Sequence, residues 1–132
     1  MKFGYTILYV ENVAATIGFY ERAFGFAKKM LHQGDDGNDY GELDTGATTL
    51  SFASRKFAST HISLPLQQGG VGNDPPAAEI AFVTDDVPGA FQTAIAAGAV
   101  HVSDPANKPW GQMVSYVRDN NGFIVEICSP VG

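Results

Sequence analysis

The chain repeats itself. Tyr5-Thr6-Ile7-Leu8-Tyr9-Val10-Glu11-Asn12-Val13 recurs in pattern as Glu79-Ile80-Ala81-Phe82-Val83-Thr84-Asp85-Asp86-Val87. Asp44-Thr45-Gly46-Ala47-Thr48-Thr49-Leu50-Ser51-Phe52 recurs as Asp119-Asn120-Asn121-Gly122-Phe123-Ile124-Val125-Glu126-Ile127. A unit this small cannot bury its apolar face alone, so the two copies must pack as one fold. In this alignment Tyr5 matches Glu79 and Ser51 matches Glu126. The second copy therefore places glutamates on strands whose neighbours are apolar, and these four residues are candidates for a common site at the seam.

A length of 132 residues suits one domain that buries roughly two thirds of its unfolded surface. Charged residues are 17% and hydrophobic residues 45%, a balance that favours a folded globular chain over disorder. Eight basic against fourteen acidic side chains leave a formal charge of −6, and no run of Lys or Arg exceeds two. Nucleic acid is accordingly not an expected partner. Cys128 is the only cysteine, which excludes an intrachain disulfide and a cysteine-rich zinc site and points to a reducing cytoplasm. No stretch reads as a signal peptide or is apolar for long enough to span a bilayer, so no membrane partner is expected.

Local signals give each copy the same order. Phe3 to Val10 reads as a strand, Asn12 as a helix cap, and Val13, Ile17, Tyr20, Ala23 and Phe24 as the buried stripe of a helix stopped by Gly25. Phe26 to His32 reads as a strand, Gln33 to Asp39 as a hairpin loop, and Tyr40 to Leu43 and Thr48 to Ser54 as two further strands. Arg55 to Ala77 reads as a linker, with Gly69-Gly70-Val71-Gly72 as its flexible part, because the Lys-Ser/Thr and helix of a phosphate loop are missing. The second copy runs through a strand over Glu79 to Thr84 and a helix capped by Asp86 with Pro88 in its first turn. Strands at Val100 to Val102, Gln112 to Arg118 and Phe123 to Cys128 follow, the last two joined by Asn120-Asn121-Gly122. The expectation is a single α+β domain of two tandem β-α-β-β-β modules: residues 1–54, a linker over 55–77, and residues 78–132.

Pro109-Trp110-Gly111 followed by Tyr116-Val117-Arg118-Asp119-Asn120-Asn121-Gly122-Phe123-Ile124-Val125-Glu126-Ile127 resembles the closing signature of the vicinal oxygen chelate superfamily. This is the glyoxalase, bleomycin-resistance and extradiol-dioxygenase group. Asp119-Asn120-Asn121-Gly122 stands where the family has Asp-Pro-Asp-Gly, and Tyr5 to Gly25 resembles the family's opening strand and helix. The resemblance covers nearly the whole chain outside the linker. It implies a cupped, eight-stranded mixed sheet around one cleft, a homodimer, and, in family enzymes, a divalent metal held by the first and last strands of each module.

Those ligand positions fall here on Tyr5, Ser51, Glu79 and Glu126, a set without histidine that suits an imidazole-liganded metal poorly. The expectation is a binder of a small organic ligand with no metal or other cofactor; a divalent ion, if held, would rest on Glu79 and Glu126. The alternative is an enzyme, either a metal-dependent lyase, isomerase or dioxygenase-like protein or a metal-free acid/base catalyst using Glu79 and Glu126. Apolar flanks should raise the Glu126 pKa unless a donor faces it. Trp110 is placed to stack on a flat ligand, and Tyr116 to face the cavity opposite a side-chain-free Gly41. His32, His61 and His101 match no ligand position and read as solvated or edge residues, while Cys128 reads as an inert buried thiol.

Overall fold

Strand alternation decides which side chains meet the helices and which line the other face of each sheet. The computed structural model describes residues 1–131. Its contacts divide the chain into two units, one of Met1–Glu21 with Gly25–Gln67, the other of Arg22–Phe24 with the chain from Gln68 on.

The first unit holds β1 (Tyr5–Val10), α1 (Val13–Phe24), β2 (Ala27–Gln33), β3 (Asp39–Asp44), β4 (Thr49–Ser54) and α2 (Arg55–Ser59), with the last turn of α1 assigned to the second unit. Its sheet runs β1-β4-β3-β2, with β1 parallel to β4 and the other pairs antiparallel. Asn12 starts α1 by accepting from the Ala15 N–H at 2.9 Å, and Gly25 ends it in the left-handed region at φ 78°, as the sequence signals predict. Val13, Ile17 and Tyr20 are buried with Leu43, Leu50 and Phe52, and the Tyr20 and Phe52 rings lie 4.9 Å apart.

The second unit repeats the plan with β5 (Glu79–Val83), α3 (Val87–Ala96), β6 (Val100–Asn107), β7 (Met113–Arg118) and β8 (Ile124–Cys128), in the order β5-β8-β7-β6. Asp86 caps α3 through the Gly89 N–H at 3.0 Å. Val87, Phe91 and Ala94 are buried, as are Val117, Val125 and Ile127 on the strands that α3 contacts. The Asp119 carboxylate accepts from both the Asn121 and Phe123 N–H groups at 2.9 Å, which fixes the β7–β8 turn, while Gly122 takes the φ of 89° that this turn requires. The chain is thus α+β with two tandem modules, and its eight expected strands hydrogen-bond as two sheets of four.

Three local expectations change. β6 continues past Val102 to Asn107: its register shifts twice, and an edge strand tolerates Pro105, so turn-like residues mask a strand. The stretch read as linker opens with α2, capped by the Ser54 hydroxyl accepting from the Phe57 N–H at 3.0 Å. Its glycine-rich part is held rather than loose. The Arg118 guanidinium donates to the carbonyls of Gly70, Val71 and Asn73 at 3.3, 3.0 and 2.7 Å, and Gly70 N–H donates to the Asn121 carbonyl at 2.8 Å.

Gly41 is a further correction. It pairs with Phe52 on the α1 side of its sheet, where an added Cβ would collide with Ile17 Cδ1. Its missing side chain admits the helix and makes no room on the other face. Gly41→Ala is expected to lower unfolding free energy by about 1–3 kcal/mol through overpacking, seen as a lower denaturant midpoint with unchanged slope. Arg118→Ala should expose the amides of 69–73 to rapid hydrogen exchange while those of β7 and β8 stay protected.

Candidate functional site

On β8, Val125 and Ile127 turn to the α3 side, so Glu126 turns to the other face. Register sets its neighbours: Tyr116 of β7 on one side and Ala81 of β5 on the other. The Tyr116 hydroxyl donates to Glu126 Oε1 at 3.1 Å. Glu79, at the start of β5, lies close enough to interact with the same carboxyl. Although Glu79 is exposed as a residue, partial desolvation of its carboxyl, with the nearby Glu126 carboxyl, raises its pKa above the ordinary carboxylate value. Glu79 thus keeps its proton at a pH where a free carboxyl has lost it. Burial and then Glu126 push Tyr116 up to about 12, so it remains a donor across the physiological range.

The polar chain continues along this face. Burial, followed by Glu126, pushes the Cys128 thiol up to about 11, consistent with an unreactive, protonated sulfur. Buried Gln112 donates to the Ser129 carbonyl at 2.9 Å and accepts from the Trp110 indole N–H at 2.8 Å. Trp110 is therefore fixed at its nitrogen while 62% of the residue stays exposed, leaving its ring free for a ligand. Glu79, Tyr116 and Glu126 form one cluster. Trp110 is tied to Gln112 just before β7, a contact that sequence reading did not identify.

The first unit carries a related arrangement with the groups exchanged between strands. Glu42 of β3 lies across from Ser51 of β4, as Tyr116 lies across from Glu126. The Tyr40 hydroxyl is 2.7 Å from Glu42 Oε2 and 3.0 Å from Ser51 Oγ; it donates to the carboxylate and accepts from the buried serine. Burial raises the Tyr40 pKa above the ordinary tyrosine value. Lys29 Nζ approaches the outer oxygen of Glu42 at 3.9 Å, and Tyr5 sits exposed at the start of β1. Sequence reading missed Tyr40 and Glu42 because the β7–β8 hairpin has one residue more between its paired positions than β3–β4, so Tyr116 corresponds to Glu42 and not to Gly41. Pairing outward from the turns would have found it.

A family model described as Glyoxalase/Bleomycin resistance protein/Dioxygenase superfamily matches residues 2–127. The chain belongs to this superfamily. Solved members and neighbours share the fold. A glyoxalase-related enzyme from Fulvimarina pelagi superposes with a TM-score of 0.80 at 18% identity, over 100% of this chain and 93% of that one. TioX from Micromonospora sp. ML1 gives 0.69 at 24% identity, over 98% of each chain. A glyoxalase/bleomycin resistance protein/dioxygenase family enzyme from Burkholderia phytofirmans PsJN gives 0.70 at 18% identity, over 96% of each. No curated protein matches the chain significantly.

Superfamily enzymes hold a divalent ion, and the donors here fit one poorly. Among the described residues no three His, Cys, Asp or Glu side chains are grouped to hold a metal. Glu126 accepts from the Tyr116 hydroxyl, and Ser51 is engaged by Tyr40. His32, His61 and His101 are all exposed, and His101 Nε2 lies 2.8 Å from Asp104 Oδ1.

The raised Glu79 pKa has a signed consequence. Between the ordinary carboxylate value and the folded value the native state holds more protons than the unfolded chain, so stability falls as pH rises through that window. Glu79→Gln removes this term. Its unfolding free energy relative to wild type should therefore improve as pH rises from about 4 to neutrality, as read by denaturant titration at each pH. A difference that stays flat with pH would contradict the raised Glu79 pKa.

Proposed function

We propose that this protein binds a small organic molecule on the β5-β8-β7 face, with Glu79 and Glu126 as the polar anchor and Trp110 as the stacking wall. The observation that carries this reading is the Glu79–Glu126–Tyr116 cluster on the face away from α3; just before β7 the Trp110 indole is fixed at its nitrogen and exposed on its ring. Two neighbouring carboxyls and a tyrosine hydroxyl offer acceptors and a donor, which suits a ligand bearing an amine or hydroxyl next to a flat apolar body. Tyr5 and Ser51 belong to the first unit, where Ser51 is part of a separate polar cluster with Tyr40 and Glu42. The reading needs no metal, since these donors act by hydrogen bonding and charge.

A second reading rests on the raised Glu79 pKa. Glu79, which releases its proton less readily than a free carboxyl, stands beside Glu126 as an acid for moving a proton on a bound substrate without a metal. The two readings share their residues and part on turnover.

The protein is further inferred to act in the cytoplasm, in keeping with its single, buried thiol, and as a homodimer. The exposed edge strands β2 and β6, with Met30, Val100 and Val102 at their surface, support pairing with a second chain. Sedimentation at micromolar concentration checks the dimer.

For a compound found by thermal-shift screening of small cationic and aromatic molecules, Glu126→Gln should weaken binding by about 10- to 100-fold, the loss of a charge-assisted hydrogen bond. Trp110→Ala should weaken it by roughly tenfold through lost stacking. Titration calorimetry reads both. Binding unchanged by Glu126→Gln, Trp110→Ala and Tyr116→Phe would place the ligand elsewhere. Conversion of the compound by wild type but not by Glu79→Gln would favour the enzyme.

A further inference from the structure

The first unit contains a cavity unrelated to the sheet face. It has a volume of about 190 Å³ and lies between α2 and the segment after it, lined by Arg55, Ala58, Ser59, Ile62, Leu64 and Leu66. The wall is apolar except for the Ser59 hydroxyl, which donates to the Lys56 carbonyl, and the Arg55 guanidinium. Leu64 stands 73% exposed at the rim, with Leu66 also open to water. A leucine held in solvent beside a hollow of this size gains nothing from folding and would gain from a guest. Dry apolar cavities of about 150 Å³ take a benzene-sized molecule, so this one has room for a ring with a short substituent.

Arg55 specifies the other end of the guest. Its Nη2 donates to the Gln67 carbonyl at 2.8 Å, which ties the far end of the segment back to α2. Its Nε is buried and faces Glu11 Oε1 at 3.1 Å, yet makes no hydrogen bond there, so the N–H points away from the line of the ion pair. Glu11 is itself largely exposed, and such a pair is weak. The guanidinium lines the apolar slot with its charge offset only by this weak pair, and its Nη groups, beyond the one bond to Gln67, are the donors a carboxylate would meet. The chain's acidic surplus disfavours anions in general, so an anion is held here only by Arg55.

We propose that the α2 cavity is a second ligand site, for a small amphiphile with an apolar body of benzene size and one carboxylate directed at Arg55. The site stands on the first unit alone and does not depend on the reading of the Glu79–Glu126 face. Glu11 competes with the guest's carboxylate for the guanidinium, so its charge tunes affinity.

The test titrates benzoate, and benzyl alcohol as its uncharged counterpart, into isotopically labelled full-length protein and follows backbone amide shifts. Benzoate should shift amides of residues 55–67 saturably and bind at least about fivefold more tightly than benzyl alcohol, the value of one exposed charge pair. Glu11→Gln should tighten benzoate by about twofold to fivefold and leave benzyl alcohol unchanged. Leu64→Glu, at an exposed position where folding is insensitive, should weaken benzoate by about tenfold or more. Arg55→Ala should abolish the preference for benzoate. Glu126→Gln should change none of these values. Equal affinity for the two probes, shifts confined to residues outside 55–67, or benzoate binding indifferent to Leu64→Glu and Glu11→Gln would each overturn the proposal, as would no saturable shift at millimolar benzoate.

Discussion

Alternation along β4 and β8 is the constraint from which the candidate site follows. Each strand lies between two others in its sheet, so its odd and even side chains are committed to opposite faces. Leu50 and Phe52, and Val125 and Ile127, are buried on the helix side of their sheets. Ser51 and Glu126 are left for the other face without any choice of their own. A slip of one residue would drive Glu126 under α3 and bring its apolar neighbours out.

Within that frame the two units solve the same problem with different chemistry. Each puts a carboxylate and a tyrosine hydroxyl within hydrogen-bond reach on the face away from its helix, but the first keeps Glu42 and Tyr40 on one strand and the second divides Glu126 and Tyr116 between two. The second adds Glu79, whose partly desolvated carboxyl beside Glu126 holds its proton more tightly than a free glutamate does. A satisfied network of this kind is costly to disturb and presents defined donors and acceptors. At these positions the two faces carry carboxyl and hydroxyl groups engaged in hydrogen bonds with tyrosines, and no imidazole.

Much of the architecture was legible in the residues. Asn12, Gly25, Asp86 and Gly122 mark helix and turn boundaries through local chemistry that tertiary structure leaves intact. The errors came where local chemistry misleads or spacing slips. Asp104-Pro105 looks like a turn yet lies in an edge strand, where proline's missing N–H faces no partner strand. The glycines of 69–72 look free, but a distant arginine fixes them, and no window of sequence reports a contact of that range. Among the candidate residues, Glu79, Glu126, Tyr116 and Trp110 are named from the repeat and the motif, whereas the hydrogen bonds of Tyr40, Glu42 and Gln112 show only through strand register or side-chain contact.

The account stands most directly on the acid pair, and carbon NMR of the glutamate side-chain carboxyls as a function of pH tests it. The account predicts that the Glu79 carboxyl titrates above the ordinary carboxylate value, and that Glu126→Gln moves its curve part of the way back, leaving the desolvation contribution. A Glu79 carboxyl that titrates as a free glutamate does, with a curve indifferent to residue 126, would contradict it.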